Sequence, residues 1–600
     1  MKKQALVAAL LLMLLFSALV GVQQGGLVSA PSFEAVIIQA DGTVQGTSSI
    51  QRNGNVYTFV GSFAGPLYVQ KDNIIIDGAG YTLTGGDGRG IVLEGRHEVT
   101  LKNTRITLDG GYIIDVGSAT DCALIGNTLI GTPEPISGLP SDSGSLVGPI
   151  AINFLHSQNI TVKDNTITNF FRGLSLEWSS GHAITGNILD DGIAGIEICN
   201  TTGCVFRNNQ ISNSGFSIRT YQSYQYENDL DSSNTIDGKP IYYWINTEDR
   251  TVPSDAAYIV LVKCTNIRVE NSSPHGVALV STTNSVITKI KMVGRGDGIN
   301  LLDCSGISVL ENTLRDQAIG IDIQNSLNNT ISGNDISNHA TRGINIGNSN
   351  DNVISGNILT CNGYAIAPFQ DTASNGNIIA SNNFTKNDFA LIVHGSMKIQ
   401  NNIFEDNNVG ILLSGGSNST ITQNMLANNN DALYISASSD NRICLNNFLN
   451  NTRQVADAGA TSPSTTAAKT SSYSIQLVAA QGSGVNFLPP PPPSINSWDN
   501  GAEGNYWSDY SGNDANGDGI GETAHYLYEN NQDNYPLINP VMVSGASSPP
   551  QEAQSTPTSD TQPETQPFPT ALVTAITVVL VAVVSFGLAA YFVRRNRKRR

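Results

Sequence analysis

From about residue 55 to Asn451, short runs of alternating Ile, Val and Leu with polar residues are broken by Asn, Gly, Asp and Ser, and nothing recurs at helical spacing. Alternation with period two predicts half-buried β-strands. The breaks keep time. Asn165, Asn187 and Asn209, then Asn312, Asn334, Asn357, Asn382, Asn402, Asn424 and Asn446, follow one another mostly 22 or 23 residues apart, in phrases such as "NNTISGNDI" and "DNVISGNIL". Gly173, Gly195, Gly298, Gly320, Gly343 and Gly410 keep the same beat. A fixed period of this size marks a solenoid, because one unit cannot bury its apolar face alone. Strands without helices make it a parallel β-helix of about 22 residues per rung. Asparagine suits the corners: it tolerates the left-handed backbone region, and its amide can hydrogen-bond from one rung to the next.

The expected organisation follows from shifts in this pattern. Residues 31–454 form the β-helix, with about 15 rungs once interruptions at 131–149 and 228–262 are set aside, and residues 33–54 cap the first rung. Residues 455–495 are a low-complexity insertion ending in the Pro489–Pro493 run, and residues 496–540 close the last rung with Trp498, Tyr506 and Trp507. Residues 1–30 read as a secretory signal, with Lys2 and Lys3, an apolar run from Ala5 to Val20 and a Val28-Ser29-Ala30 exit. Residues 541–570 are a Pro/Ser/Thr/Gln-rich stalk, 571–593 an uncharged apolar span, and 594–600 a basic tail. A basic cluster after a span stays cytoplasmic, so the expectation is a single-pass cell-membrane protein with its body outside.

Eight of the 32 basic residues lie in the two ends, so residues 31–570 carry 24 Lys plus Arg against 50 Asp plus Glu. Such a surface repels nucleic acid, which is not expected as a partner, and anionic glycans too unless metal ions intervene, and it suits a calcium-tolerant exterior. Seven cysteines are spread through the coils; only Cys199 and Cys204 are close enough in sequence to staple a turn in an oxidising compartment. Sequons begin at Asn159, Asn200, Asn271, Asn328, Asn383, Asn418 and Asn450, which permits glycosylation.

Three patterns carry candidate chemistry. Asp514, Asn516 and Asp518 supply oxygens at every second position, with Gly519 for the turn and the Ile520 carbonyl next, as in the first half of a calcium loop. Position 12 is His525 rather than Glu, so Glu522 or Asp533 would have to complete the cage. Glu177 and Glu197 fall one rung and two residues apart, a separation that suits two carboxylates acting across a glycosidic bond, with Asp190 and Asp191 in the adjoining turn. Trp178, Tyr221, Tyr224, Tyr242, Tyr243 and Trp244 gather in the centre of the chain as candidate faces for sugar rings. The seven histidines are scattered over different rungs, which argues against copper. Asp190-Asp191, Pro274-His275-Gly276 and Lys289-Ile290-Lys291 occur in the order of polygalacturonase motifs, but 84 residues separate Asp191 from His275 where one rung is needed.

The phrases "DNIIIDGAGYTLTG", "NNTISGNDI", "NTIDGKPIYYWIN…VPSDAAYIVLVKCTNI" and "GNYWSDYSGNDANGDGIGET…ENNQDNYPLI" resemble the NosD-like proteins, over about residues 55–450 and 496–540. That resemblance implies a right-handed parallel β-helix of the kind grouped as carbohydrate-binding and sugar-hydrolase repeats, abundant on archaeal surfaces. It also implies a link to maturation of the copper site of nitrous-oxide reductase. It carries over no catalytic residue. The function expected is a membrane-anchored β-helix that binds polysaccharide or other cell-envelope components without catalysis, with structural calcium. The alternatives are a polysaccharide lyase, hydrolase or epimerase, or a NosD-like maturation factor.

Overall fold

The computed structural model describes residues 34–131, 148–220, 222–294, 296–368, 372–460 and 491–543. Among these, the strands collect into a 26-stranded sheet, three nine-stranded sheets and one small hairpin. They wind as a parallel β-solenoid of about 17 turns with almost no helix.

Neighbouring coils pair in register. Thr166–Glu177 runs parallel to Ile188–Cys199 along its whole length, from Thr166 opposite Ile188 to Glu177 opposite Cys199. Side chains alternate: Leu174, Leu176, Ile196 and Ile198 enter the core, while Ser175, Glu177, Glu197 and Cys199 form columns on the outer face. The asparagine ladder is built as the corner argument requires. Asn357 Oδ1 accepts the backbone N–H of Asn334 (2.9 Å) and its Nδ2–H (2.8 Å), while Asn357 Nδ2 donates to Ile331 O and to Asn382 Oδ1, each at 2.9 Å. Each amide thus links three coils and leaves no buried polar atom unpaired.

The stack changes within residues 215–262, a stretch that contains the insertion suggested by the sequence pattern at 228–262. Much of that stretch is coil: Asp229–Leu230 and Thr235–Ile236 continue the ladders above them. The chain then turns back antiparallel into Lys239–Ile245, which starts a new ladder with Tyr258–Val262 and Gly276–Val280. Tyr258–Val262 is buried on both faces. Ile259 and Leu261 enter the second core, whereas Tyr258, Val260 and Val262 pack into the first. The outer face of one ladder therefore closes the end of the preceding core. Two apolar cores share one sheet, and these strands raise the turn count above the 15 expected.

The ends are capped. Val36–Ile38 pairs antiparallel with Val44–Gln45, and Ile50–Asn53 with Val56–Phe59, which replaces the open parallel edge by hairpins. At the other end Trp498 and Trp507 are buried, and Trp507 stacks on Phe448 with ring centres 4.3 Å apart. Asp533 fixes this cap by accepting from Trp507 Nε1 (2.8 Å) and Asn505 N (2.7 Å). Val541 exchanges two backbone hydrogen bonds of 2.7 Å with the Asn447 side chain, so residues 541–543 belong to the coil rather than to a stalk. The signal segment 1–30, the 571–593 span, the 594–600 tail and most of 131–149, 455–495 and 541–570 lie outside the described residues. Among the described residues no helix is long and apolar enough to cross a membrane.

Candidate functional site

The outer face of Thr166–Glu177, Ile188–Cys199 and Gly215–Arg219 carries the densest set of charged groups near the junction. Register puts Ser175, Glu197 and Ser217 in one column and Glu177, Cys199 and Arg219 in the next. Glu177 therefore lies one coil and two residues from Glu197, as the repeat predicted. Arg172, which the sequence reading passed over, sits between them: its Nε is 2.8 Å from Glu197 Oε2, and its Nη1 donates to Glu177 Oε1 at 3.2 Å. The first contact is an ion pair rather than a directed hydrogen bond, since Glu197 Oε2 has no hydrogen-bond donor.

The network continues across the junction. Arg219 Nη1 is 3.9 Å from Glu197 Oε1 and its Nη2 is 4.0 Å from Asp297 Oδ1. Asp297 Oδ2 accepts the hydroxyl of Tyr258 at 2.8 Å, and Tyr258 rests edge-on against Phe216 with centroids 5.0 Å apart. Burial pushes the Tyr258 hydroxyl well above its ordinary value, and the Asp297 charge adds to it. Cys199 lies between Glu177 and Arg219; burial, then the Glu177 and Glu197 charges, push its thiol up. Below the junction, burial raises the Asp322 carboxyl, although Asn345 Nδ2 (2.6 Å) and Gln324 Nε2 (2.8 Å) donate to it. Arg172, Arg219, Asp297, Tyr258 and Asp322 carry no sequence signal of their own; only their register assembles them.

The other candidates separate. Asp190 and Asp191 stand at the opposite end of Ile188–Cys199 from Glu197. Ser212 Oγ (2.8 Å) and Asn213 Nδ2 (3.0 Å) hold the Asp190 carboxyl below the usual carboxylate range. Trp178 and Tyr224 are 56% and 59% exposed. Tyr242, Tyr243 and Trp244 do not join them in a groove. Tyr243 is buried in the first core and donates to the Tyr226 carbonyl, whereas Tyr242, which donates to Asp255 Oδ1 (3.0 Å), and Trp244, which packs under Arg250, lie against the second core. Tyr221 lies outside the described residues. Cys199 and Cys204 are free thiols: Cys199 is on the outer column and Cys204, beyond the corner, is in the core, and the expected pairing is not formed.

In the 514–522 loop, Asp514 Oδ1 accepts the N–H of Gly517 (2.7 Å), Asp514 Oδ2 that of Gly519 (2.9 Å) and Asp518 Oδ1 that of Ile520 (2.9 Å). Asp514, Asn516 and Asp518 thus converge on a tight turn at the surface. Asp533 is not available to complete a cage, being committed to Trp507, and His525 packs against Trp507 at 4.9 Å.

Residues 69–235 match the family model described as right handed beta helix region, and residues 232–396 and 390–484 match the model for periplasmic copper-binding protein (NosD). The chain is a NosD-like right-handed β-helix repeat protein. Among solved structures, the periplasmic alginate epimerase AlgG aligns at 12% identity over 58% of this chain and 83% of its own, with a TM-score of 0.25. The mannuronan C-5 epimerase AlgE6 A-module of Azotobacter vinelandii aligns at 11% identity over 73% and 90%, with a TM-score of 0.20. DFA-IIIase from Arthrobacter chlorophenolicus A6 aligns at 14% identity over 50% and 84%, with a TM-score of 0.22. No functionally curated protein matches the sequence.

The residues of this NosD-like chain do not fit a copper centre. Among the described residues, no three His, Cys, Asp or Glu side chains approach closely enough to hold a metal ion. His182 and His339 are buried in the coil stack, where His182 Nδ1 accepts the Ile160 N–H at 3.0 Å.

Proposed function

We propose that this protein is a membrane-anchored surface protein whose coils bind polysaccharide, or other glycan of the cell envelope, without turning it over. One observation carries the reading: two exposed aromatic rings on one corner of the solenoid, beside charged groups. Trp178 and Tyr224 are the two rings. Tyr224 O is 3.4 Å from Thr202 Oγ1, and Thr202 pairs with Ser180, two residues from Trp178. The rings are thus two coils apart, about 10 Å at the spacing of parallel strands, which matches the repeat of two sugar residues. Sugar rings stack on such faces, while Glu177 and Arg219 in the adjoining column hydrogen-bond hydroxyls.

Binding is favoured over turnover because both candidate acids contact Arg172, so neither is free to trade protons with a substrate. Anchoring rests on the 571–593 span and its basic tail, and export on the 1–30 signal. Among the described residues no three carboxylates gather in the 514–522 loop, so a structural calcium ion of the C-terminal cap would draw on the Asn516 amide and the Ile520 carbonyl beside Asp514, Asp518 and Glu522.

The test is to present the full chain, with calcium, to a panel of uronate-containing and neutral polysaccharides, scoring retention and new reducing or unsaturated ends. Retention without new ends, lost in a Trp178→Ala, Tyr224→Ala variant, is expected. New ends that vanish in a Glu177→Gln, Glu197→Gln variant would establish a lyase or hydrolase instead.

A further inference from the structure

A second recess opens on a different corner, and nothing in the reading above uses it. Ser273, Pro274 and His275 form one wall, the strand Lys291–Val293 with Gly294 and Gly296 another, and Gln317 the floor, around a cleft of about 340 Å³. Alternation along Lys291–Val293 turns Lys291 and Val293 outward and Met292 into the core. The bend that closes the cleft needs glycine at 296, where a Cβ would stand 2.2 Å from the His275 carbonyl oxygen.

Three features describe what would fill it. Among the described residues Lys291 has no ion-pair partner, and the acid on the same bend, Asp297, is turned to Tyr258. In a body with twice as many acids as bases, an unpaired lysine beside the exposed His275 is a local positive site. Gln317 is 3% exposed; its Nε2 donates to Gly294 O (3.0 Å) and Arg315 O (2.6 Å), which fixes the amide and leaves Oε1 without a donor among the described residues. A buried acceptor without a donor is costly unless a ligand supplies one. Pro274 and Val293, the latter 58% exposed, offer an apolar side wall.

We infer that this cleft is a subsite for one carboxylated sugar residue, with the carboxylate on Lys291 and His275, a hydroxyl donating to Gln317 Oε1, and the C–H face of the ring against Pro274 and Val293. A neutral sugar leaves Lys291 unanswered, and a simple anion leaves Gln317 so; only a hydroxylated carboxylate meets both. The volume holds a single ring rather than a chain. The site rests on the glycan-binding reading and narrows it to acidic glycan.

The test titrates the full chain with D-glucuronate, D-glucose and short glucuronate-containing oligomers, followed by saturation-transfer NMR and calorimetry. Glucuronate binds and glucose binds at least tenfold more weakly; exposed Lys291→Met costs about tenfold in glucuronate affinity, equivalent to about 1.4 kcal/mol. Gln317→Glu, which turns the acceptor into a like charge, abolishes binding. Equal affinity for glucuronate and glucose, or a Lys291→Met variant that binds as wild type, would sink the inference. Polysaccharide retention without a glucuronate preference removes the cleft and leaves the surface-binding reading. Glucuronate binding without polysaccharide retention does the reverse.

Discussion

Arg172 sets its Nε 2.8 Å from Oε2 of Glu197, and only 18% and 8% of the two side chains remain exposed. Removing one partner of such a pair strands the other charge out of water. Arg172→Met is therefore expected to lower stability by about 3 kcal/mol, and the double variant Arg172→Met, Glu197→Leu to recover most of it. Urea denaturation of the three proteins decides; a single variant as stable as wild type means the pair is held by nothing but proximity.

The asparagine ladder makes a similar claim about neutral groups. Asn357→Ala takes away the acceptor of the Asn334 N–H and one of the two acceptors of the Asn334 amide, whose Nδ2 keeps Val309 O, and it removes the Asn357 amide from the Ile331 carbonyl in the core. The expected cost is about 3 kcal/mol, well above that of an exposed corner such as Asn348→Ala. Hydrogen exchange should localise the weakening to the coils on either side, because a solenoid couples mainly to its neighbours.

Acid stability has a definite sign at His182. Burial depresses its value to about 4, from an ordinary 6.5. Between those pH values the unfolded chain binds a proton that the folded chain refuses. The contribution is complete above about pH 6.5, is lost as pH falls towards 4, and is constant below. His339 and His525 shift the same way, and the raised Asp322 and Asp533 oppose them by favouring the folded state in acid. A His182→Gln variant should show a flatter loss of unfolding midpoint between pH 6.5 and 4 than wild type; parallel curves would contradict the assignment.

Calcium should raise the unfolding midpoint. A ligand bound only by the folded chain stabilises by about 2.7 kcal/mol at a hundredfold excess over its dissociation constant. Asp514→Ala and Asp518→Ala should each abolish the rise, and each should also lower the midpoint in chelator somewhat, because these carboxylates accept the backbone N–H groups of the turn. An equal rise in all three proteins places the ion elsewhere.

Thiol labelling separates the two cysteines. Cys199 is partly exposed and Cys204 is buried, with its thiol pushed up to about 11 by burial. Intact mass after native alkylation should show Cys204 protected and reactive only on unfolding. A mass lower by two hydrogens before reduction, mapped to these two, would restore the disulfide.

By itself the sequence determined the solenoid, its period, the residues of the asparagine ladder and the caps. The reason is that every coil meets the same surroundings: Asn334, Asn357 and Asn382 each face a copy of themselves, so one local pattern states the whole contact. The register of Glu177 with Glu197 was legible for the same cause. What only the tertiary structure decided depends on breaks in that regularity. At residues 215–262 the ladder ends and another begins against its core, and this sends Tyr243 and Trp244 inward while leaving Trp178 and Tyr224 in water. It also brings Asp297 to Arg219 across 78 positions of chain. Charge pairing and cleft formation between such distant segments follow from how two stacks meet, a relation that no repeat encodes.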